Sequence, residues 1–300
     1  MPHSSSLTAI LYAFSANLGI ALAKTFAALW TGSGSLLAEA IHSFADCGNQ
    51  VLLFVGMTRS EKQATKKHPM GFGRESYIWS MMVAFTLFSV GGVFSIHEGW
   101  QRYTNPHELE NAGIAVVILL IASGLEYFSL KGALAAMAPE KGDRTLWQWF
   151  RETHSSELMV VIGEDLAALV GLLIALVMLS LALITGNTAF DAAGSMLIGI
   201  LLITVAVLIG KEVHSLLLGE SDETIGIAIR QYLDNQPCIS KVLNLWAINH
   251  GNSVMVAVKA EFKADMSVHQ AAKEINILEK QIKLSHDRVK WIFFEIDNAD

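Results

Sequence analysis

Charged residues and cysteines are both scarce in this sequence of 300 residues. Asp, Glu, Lys and Arg make up 16% of the chain, against about 25% in soluble domains, while 52% of the residues are hydrophobic. This composition excludes an ordinary soluble protein, and the net charge of −7 argues against nucleic acid as a partner. Cys47 lies in an apolar run and Cys238 in a polar tail, so we expect no disulfide and a reducing cytosolic side.

The most prominent feature that the sequence does have is a set of six apolar runs. Each approaches the roughly 20 residues that a helix needs to cross a bilayer. The runs cover residues 8–30, 35–57, 77–100, 112–135, 157–181 and 189–210. No basic segment precedes the first run, so we expect a retained span there and not a signal peptide. The sequence therefore predicts an α-helical membrane protein with six spans.

Basic residues are distributed unevenly among the loops between these runs. The loops after the second and fourth runs carry most of them, namely Arg59, Lys62, Lys66, Lys67, Arg74, Lys141, Arg144 and Arg151. On the opposite side the loop after the third run carries Arg102, near Glu108 and Glu110. The positive-inside rule then predicts that both termini are cytoplasmic, and we expect a bacterial-type inner (plasma) membrane.

The composition changes after the sixth run, where the chain becomes polar. Residues 224–235 and 268–282 show helical spacing, while 242–249, 254–262 and 289–296 read as strands, with Gly251 and Asn252 as a hairpin turn. The order αββαβ predicts a small α+β domain. We therefore divide the chain into a transmembrane domain, 1–212, and a cytoplasmic domain, 213–300. A tail that only confers solubility is the alternative.

Ionisable residues lie well inside the apolar runs. They are Lys24, Glu39, His42, Asp46, Glu126, Glu164 and Asp165. A centrally placed acid costs about 2.5–3.5 kcal/mol on insertion scales, so these groups should face the interior of a bundle and not lipid. The acids outnumber the single lysine, and a bound divalent cation or protons would offset the excess negative charge. The pattern predicts a pathway for cations.

His42 and Asp46 stand four residues apart, which places both side chains on one face of a helix. An imidazole and a carboxylate at this spacing can hold a divalent transition metal, and Asp165 could meet them across the bundle. Glu164 points about 100° away from Asp165 on a helix. It is a candidate fourth ligand, proton carrier or outer partner, and the alternative is a salt bridge, for instance with Lys24. A buried polar pair satisfied by its neighbours is the alternative for His42 and Asp46.

Three further charges have other candidate roles. Lys24 is a candidate charge partner and not a ligand, because an ammonium group has no lone pair to offer. Glu126 could carry protons or make a structural hydrogen bond. Glu39, three residues before His42, extends the polar face of the second run and is a candidate for proton transfer or charge pairing.

Two motifs carry a resemblance to a known family. The first is Thr31-Gly-Ser-Gly-Ser-Leu-Leu-Ala-Glu-Ala-Ile-His-Ser-Phe-Ala-Asp-Cys-Gly-Asn-Gln, and the second is His68-Pro-Met-Gly-Phe-Gly-Arg-Glu. With six spans and an αββαβ tail, they resemble the cation diffusion facilitator family of zinc and manganese exporters. The run Phe-Ser-Val-Gly-Gly-Val-Phe-Ser-Ile-His-Glu-Gly and the pair Glu164-Asp165 resemble its zinc transporter 9-like branch.

The resemblance implies a homodimeric metal–proton antiporter whose transport site lies between the second and fifth spans. His42, Asp46 and Asp165 match family ligands, whereas the fourth ligand position falls on Val161, which cannot bind metal. Glu164 or water would then complete the coordination shell of the metal, or the metal selectivity is altered. The resemblance also implies that the tail is a ferredoxin-like dimerisation and regulatory domain.

Other positions depart from the family pattern. Phe72 and Thr65 stand where many members have metal ligands after the second span, so His68 alone is a poor site, and Ala272 replaces a frequent tail histidine. A tail metal site could still use His250, His269, His286, Glu295 and Asp297.

The predicted function is export of Zn²⁺ from the cytoplasm, driven by inward proton flow through alternating access. His42 favours zinc over harder ions because its nitrogen is a borderline-soft ligand. The alternatives are a Mn²⁺, Fe²⁺ or Co²⁺ exporter of the same fold, and a membrane scaffold that senses metal without transporting it. No H-E-x-x-H helix is present, so we do not expect an enzyme.

Overall fold

The computed structural model describes residues 3–106 and 112–299, and the first part of this chain is helical. Its helices are α1 (His3–Thr31), α2 (Gly34–Ser60), α3 (Glu75–Thr86), α4 (Phe94–Thr104), α5 (Ala112–Lys141), α6 (Leu146–Glu152), α7 (Ser156–Thr185) and α8 (Ala189–Leu218). A π-helical segment, Leu87–Val93, joins α3 to α4 without a break. All six predicted apolar runs coincide with long helices, whereas neither the π segment nor the short helix α6 is predicted.

Four helical stretches among the described residues are both long and apolar enough to cross a membrane. They are Glu75–Thr104, Gly113–Lys141, Ser156–Thr185 and Ala189–Leu218. With 29 and 27 residues, α1 and α2 are also long enough. The polar face of α2 lowers the mean hydropathy of that helix. The chain is therefore a helical membrane protein, and the count of six spans stays a prediction.

Glycines let the π segment and α4 approach α8 closely. A Cβ atom at Gly92 would lie 2.5 Å from the side chain of Ile203, and one at Gly199 would lie 2.6 Å from that of Ile96. Gly99, seven residues after Gly92, meets the backbone of Ala192 in the same way. Without a hydrophobic driving force between helices in lipid, such small residues allow the close packing that holds a bundle together.

The tail forms a three-stranded sheet with two helices. Its elements are α9 (Glu223–Asp234), β1 (Ile239–His250), β2 (Ser253–Phe262), α10 (Val268–Ser285) and β3 (Val289–Ile296), in the predicted order. The sheet order is β1-β2-β3, with β1 and β2 antiparallel and β2 and β3 parallel. Alternate residues of β2 are buried, from Val254 to Phe262, and pack with Ile229, Leu233, Leu278 and Ile282 of the two helices.

Contacts divide the chain into two compact units. The first holds the described residues up to Thr58 together with Ile78–Val213, and the second holds Arg59–Tyr77 together with the described residues from His214. A division at residue 213 places the loop Arg59–Tyr77 in the first domain, whereas the structure packs it with the tail. The Tyr77 hydroxyl donates to the carbonyl of Gly251 at 3.2 Å, in the hairpin turn that the sequence predicts. The functional roles of the two domains stay predictions.

Candidate cation site in the helical unit

One face of α2 carries the polar residues that the spacing predicts to lie together. Glu39, His42 and Asn49 are fully buried, whereas the Asp46 side chain is 15% exposed. The distance between His42 Nδ1 and Asp46 Oδ1 is 3.4 Å, one helical turn apart. Helix α2 therefore presents an imidazole and a carboxylate side by side inside the bundle.

Helix α7 supplies Asp165, which the sequence predicts to meet α2, and its neighbour Glu164. The Asn49 amide donates a 2.5 Å hydrogen bond to Glu164 Oε1, so α2 and α7 are joined directly at the site. Ser129 of α5 donates to Asp165 Oδ2 at 3.1 Å. The predicted meeting of the second and fifth apolar runs therefore occurs, with α5 as a third contributor.

A small cavity lies where these helices meet. It is lined by Asn17 of α1, Ser43, Asp46 and Gln50 of α2, Glu126 of α5, and Val161, Glu164 and Asp165 of α7. The space for water is about 20 Å³, close to the minimum that one water molecule needs. Four carboxylates thus surround a space of the size of one small ion.

Several polar atoms at this site have no hydrogen-bond partner among the described residues. These are both ring nitrogens of His42, Asp46 Oδ1 and Asn49 Oδ1. Asp46 lines the cavity, whereas His42 and Asn49 lie on the same helix without lining it. Buried polar atoms are nearly always hydrogen-bonded, so a group of unpaired atoms next to a cavity is typical of a place where a ligand binds. In the described part of the chain, however, no three His, Cys, Asp or Glu side chains already converge closely enough to hold a metal ion.

Lys24 is the charge partner of Glu39 and not of Glu164. Its Nζ lies 3.3 Å from Glu39 Oε2 and donates to Ser43 Oγ at 2.8 Å. Glu39 also packs against Gly171 of α7, at a position where a Cβ would collide with Glu39 Oε1. The structure thus pairs Lys24 with Glu39, whereas Glu164 accepts its hydrogen bond from Asn49, and no ion pair between Lys24 and Glu164 forms among the described residues.

Val161 lies in the wall of the same cavity, beside Glu164 and Asp165. The position that the resemblance marks as a missing ligand is therefore at the site, and its apolar side chain faces the acids. Glu164 lines this cavity too, which keeps it available as a replacement ligand.

The five residues of the suggested tail site are not assembled. His250 stands edge-on to the ring of Trp291, His269 is exposed in the first turn of α10, and His286 follows the end of that helix. Glu295 is exposed, and Asp297 pairs with Lys259 at 3.1 Å. Since no group of three possible ligands forms among the described residues, nothing supports a metal site here, and it stays a prediction.

Asp191 is a buried acid that sequence reasoning missed. It lies in the first turn of α8 and is 2% exposed, with hydrogen bonds from the start of α2. An acid at the beginning of a helix is ordinary in a sequence, because its negative charge interacts favourably with the positive end of the helix dipole. Its partners lie more than 150 residues earlier, so no local spacing could have revealed them.

With this geometry described, comparison with known proteins identifies the family. A family model described as the cation efflux transmembrane domain matches residues 10–218, which include every residue that lines the cavity. The chain belongs to the cation efflux family. The resemblance seen in the sequence motifs is thereby confirmed.

Several curated proteins are similar to this member of the family. The mitochondrial proton-coupled zinc antiporters SLC30A9 of Mus musculus and Homo sapiens are each 30% identical over 262 residues, 86% of this chain and 45% of theirs. Metal tolerance protein C4 of Arabidopsis thaliana is 30% identical over 222 residues, 72% of this chain and 48% of that protein. The chain thus spans about half the length of these relatives.

Proposed function

We propose that this protein is a transporter, and not an enzyme, that exports a divalent cation, most directly Zn²⁺, across a membrane in exchange for protons. The observation that carries the proposal is the cavity lined by Asp46, Glu164 and Asp165, with an unpaired nitrogen of His42 3.4 Å from Asp46. A dication in this cavity would neutralise carboxylates that otherwise repel one another inside a membrane.

Each residue at the site has a role that its chemistry suits. His42 would supply a borderline-soft nitrogen, and Asp46 and Asp165 would supply charged oxygens. Glu164 would act as the fourth ligand in place of Val161. Asn49 would orient Glu164 through its hydrogen bond, and Ser129 would do the same for Asp165.

Competition between protons and metal provides the coupling. Metal binds only a neutral imidazole and ionised carboxylates, so protonation of His42 and an acid would release the cation, and metal would displace those protons. Glu126, which lines the cavity, is the candidate that accepts or delivers them. Rigid-body movement of helices against one another would expose the site to each side in turn.

The relatives support the same choice of cargo and coupling ion. The names of the SLC30A9 proteins describe proton-coupled zinc antiporters. We extend this to the present chain, with a multi-pass location in an inner membrane. We also expect a homodimer, with a mass twice the 32.7 kDa of one chain.

Transport into proteoliposomes tests the proposal. The wild-type protein should accumulate zinc when a pH gradient is imposed and lose this uptake when the gradient is collapsed. Asp165→Asn and His42→Ala should each lower uptake by at least about 10–100-fold, the loss that typically follows removal of even an outer partner of a metal ligand. Matched controls are Glu157→Gln, on the same helix α7, and His97→Ala, an exposed histidine. Unchanged uptake in the two site variants, or uptake independent of the gradient, would contradict the proposal.

Val161 favours a second candidate, an exporter of Mn²⁺, Fe²⁺ or Co²⁺. A cavity lined by several carboxylates, with one histidine beside it, is harder than a typical zinc site, and such oxygen ligands suit Mn²⁺. Competition between these ions and zinc in the same proteoliposomes distinguishes the two. Inhibition of zinc uptake by equimolar Mn²⁺ would favour the second candidate.

A further inference from the structure

The beginning of α2 is bound to α8 through one carboxylate. Asp191 Oδ1 accepts a hydrogen bond from Ser33 Oγ at 2.7 Å, and Asp191 Oδ2 accepts one from the backbone N–H of Gly34 at 2.5 Å. The N–H of Ser35 also points at both oxygens, at 3.3 and 3.4 Å, and the Ser35 hydroxyl donates to Oδ1. We call Asp191 with residues 33–35 the α2 clamp.

The clamp is enclosed on its other side by α4. Arg102 donates to the carbonyl of Gly32 and pairs with Glu98 at 2.7 Å. Gly34 leaves no room for a side chain, because a Cβ there would collide with Arg102 and lie 3.1 Å from Ser195 Oγ. Ser33, Gly34 and Ser35 are therefore fixed between a carboxylate and a guanidinium group, and all three are buried.

The chemistry of a helix end explains why a carboxylate is used. The first N–H groups of a helix have no partner within that helix, and together with the helix dipole they favour a negative charge. Such a charge usually comes from the residue just before the helix, whereas here it comes from α8. The cap of α2 therefore also joins two helices.

The clamp lies on the same helix as the cation site but apart from it. His42 follows Ser35 by seven residues, about 10.5 Å along a helix with a rise of 1.5 Å per residue. The residues that line the cavity belong to α1, α2, α5 and α7, and Asp191 belongs to α8. Asp191 therefore lies outside the cavity, and its hydrogen bonds to residues 33–35 connect it to the site through the position of α2.

We propose that Asp191 is a positioning residue, which holds α2 so that the faces carrying His42 and Asp46 stay opposite Glu164 and Asp165. This role in cation binding rests on the proposed function, whereas the mechanical role of the clamp does not. Loss of the carboxylate would free the start of α2, and the helix would move or open more often along its length.

Cys47 offers a native reporter of this movement. It lies in α2 one residue after Asp46, it is 4% exposed, and Cys238 is the other cysteine of the chain. In a Cys238→Ser background, labelling by a membrane-permeant maleimide therefore reports the exposure of Cys47 in α2. Full-length protein in proteoliposomes would be labelled with and without Asp191→Ala.

We expect Asp191→Ala to increase the rate of Cys47 labelling by about fivefold, the factor that corresponds to loss of a typical helix cap. Asp191→Asn, which keeps one acceptor oxygen, should fall between wild type and Asp191→Ala. Ser35→Ala, which removes one donor and leaves the carboxylate, should do the same and serves if Asp191→Ala does not fold. Glu212→Gln, at the other end of α8, is the matched control and should label as the wild type does.

Zinc kinetics provide the second readout. Asp191→Ala should raise the zinc concentration for half-maximal uptake more than it lowers the maximal rate, with partial recovery in Asp191→Asn. Labelling of Cys47 at the wild-type rate in Asp191→Ala and Ser35→Ala would overturn the clamp. If labelling increases as expected but the wild-type protein shows no zinc uptake, the clamp stands and the proposed transport function fails.

Discussion

Val161 is the residue at which the resemblance implies a missing metal ligand. It lines the cavity beside Glu164 and Asp165, so an acid placed there would point at the same space. We expect Val161→Asp to lower the zinc concentration for half-maximal uptake by roughly tenfold, which corresponds to about 1.4 kcal/mol of added binding free energy. Uptake measured over a range of zinc concentrations gives this value.

The matched control for that change is Val161→Ala, which removes the same apolar bulk without adding a ligand. It should leave the half-maximal zinc concentration near the wild-type value. Equal effects of the two substitutions would show that space, and not an additional carboxylate, decides binding at this position.

The Lys24–Glu39 ion pair is buried completely, with both side chains shielded from solvent. Removal of one partner leaves an uncompensated charge, whereas neutral replacement of both is often tolerated. We expect Lys24→Met to destabilise the protein by about 3–5 kcal/mol, and the double variant Lys24→Met/Glu39→Gln to recover most of this loss.

Thermal unfolding in detergent of Lys24→Met, Glu39→Gln and the double variant measures the contribution of the ion pair to stability. If Lys24→Met alone were as stable as the double variant, the ion pair would have no structural role. Zinc uptake by a stable double variant would in addition show whether Glu39 takes part in proton transfer.

The site residues show which contacts local sequence can reveal. The spacing of His42 and Asp46 fixes their common face once the segment is helical, and α2 confirms it. The pairing of Lys24 with Glu39, and of Asp191 with Ser33, depends on how separate helices pack. Charge and hydropathy show only that such groups need partners, and the choice among partners is a property of the three-dimensional packing.

At the scale of the elements, hydropathy predicted the long helices well and irregular segments poorly. The π segment Leu87–Val93 cannot be recognised from the hydropathy of an apolar run. Its Gly92 packs closely against α8, and such tertiary packing leaves no local sequence pattern. The sequence does contain a helix-start pattern for α6, the capping box formed by Thr145 and Gln148. The helix itself is only seven residues long. Short helices leave too little periodicity to be recognised.

Strand β1 ends at His250, a histidine whose charged form is disfavoured in the folded tail. Burial lowers the pKa of His250 below its ordinary value of 6.5, and the neighbouring Arg74 lowers it further. The folded tail therefore prefers neutral His250, whereas the unfolded chain takes up a proton as the pH falls through about 6.5. We expect the tail to lose stability below that pH, as the unfolded state is the one that binds more protons.

Hydrogen exchange of β1 and β2, expressed as protection factors at pH 7.5 and pH 5.5, tests this expectation. The loss of protection on acidification should be smaller in His250→Gln, which has no proton to gain. Asp297 does not interfere, because Lys259 lowers the pKa of its carboxyl below 3.8 and its effect lies at more acidic pH. An equal pH effect in the variant would assign the instability to another group.

At the scale of the whole molecule, the sequence separated membrane helices from a polar tail but misplaced the loop between α2 and α3. Hydropathy identifies Arg59–Tyr77 as polar and does not show which unit such a loop joins. The contact is made by small groups: a Cβ at Gly73 would lie 2.5 Å from the carbonyl oxygen of His250, and Gly251 has a φ of 63°. Close approach of two backbones leaves no hydrophobic pattern for sequence reasoning to detect.

The orientation of the six predicted spans is the property of the whole chain that most needs a measurement. In a background of Cys47→Ala and Cys238→Ser, single cysteines replace Gln63, Asp143 and Thr185, which are all exposed and lie after α2, after α5 and at the end of α7. With six spans and cytoplasmic termini, Gln63→Cys and Asp143→Cys should react with an impermeant maleimide in inverted vesicles, because basic loops stay on the cytoplasmic side. Thr185→Cys should react in right-side-out vesicles. Reaction of all three from one side would contradict the six-span arrangement, since an odd number of crossings separates residue 185 from the other two.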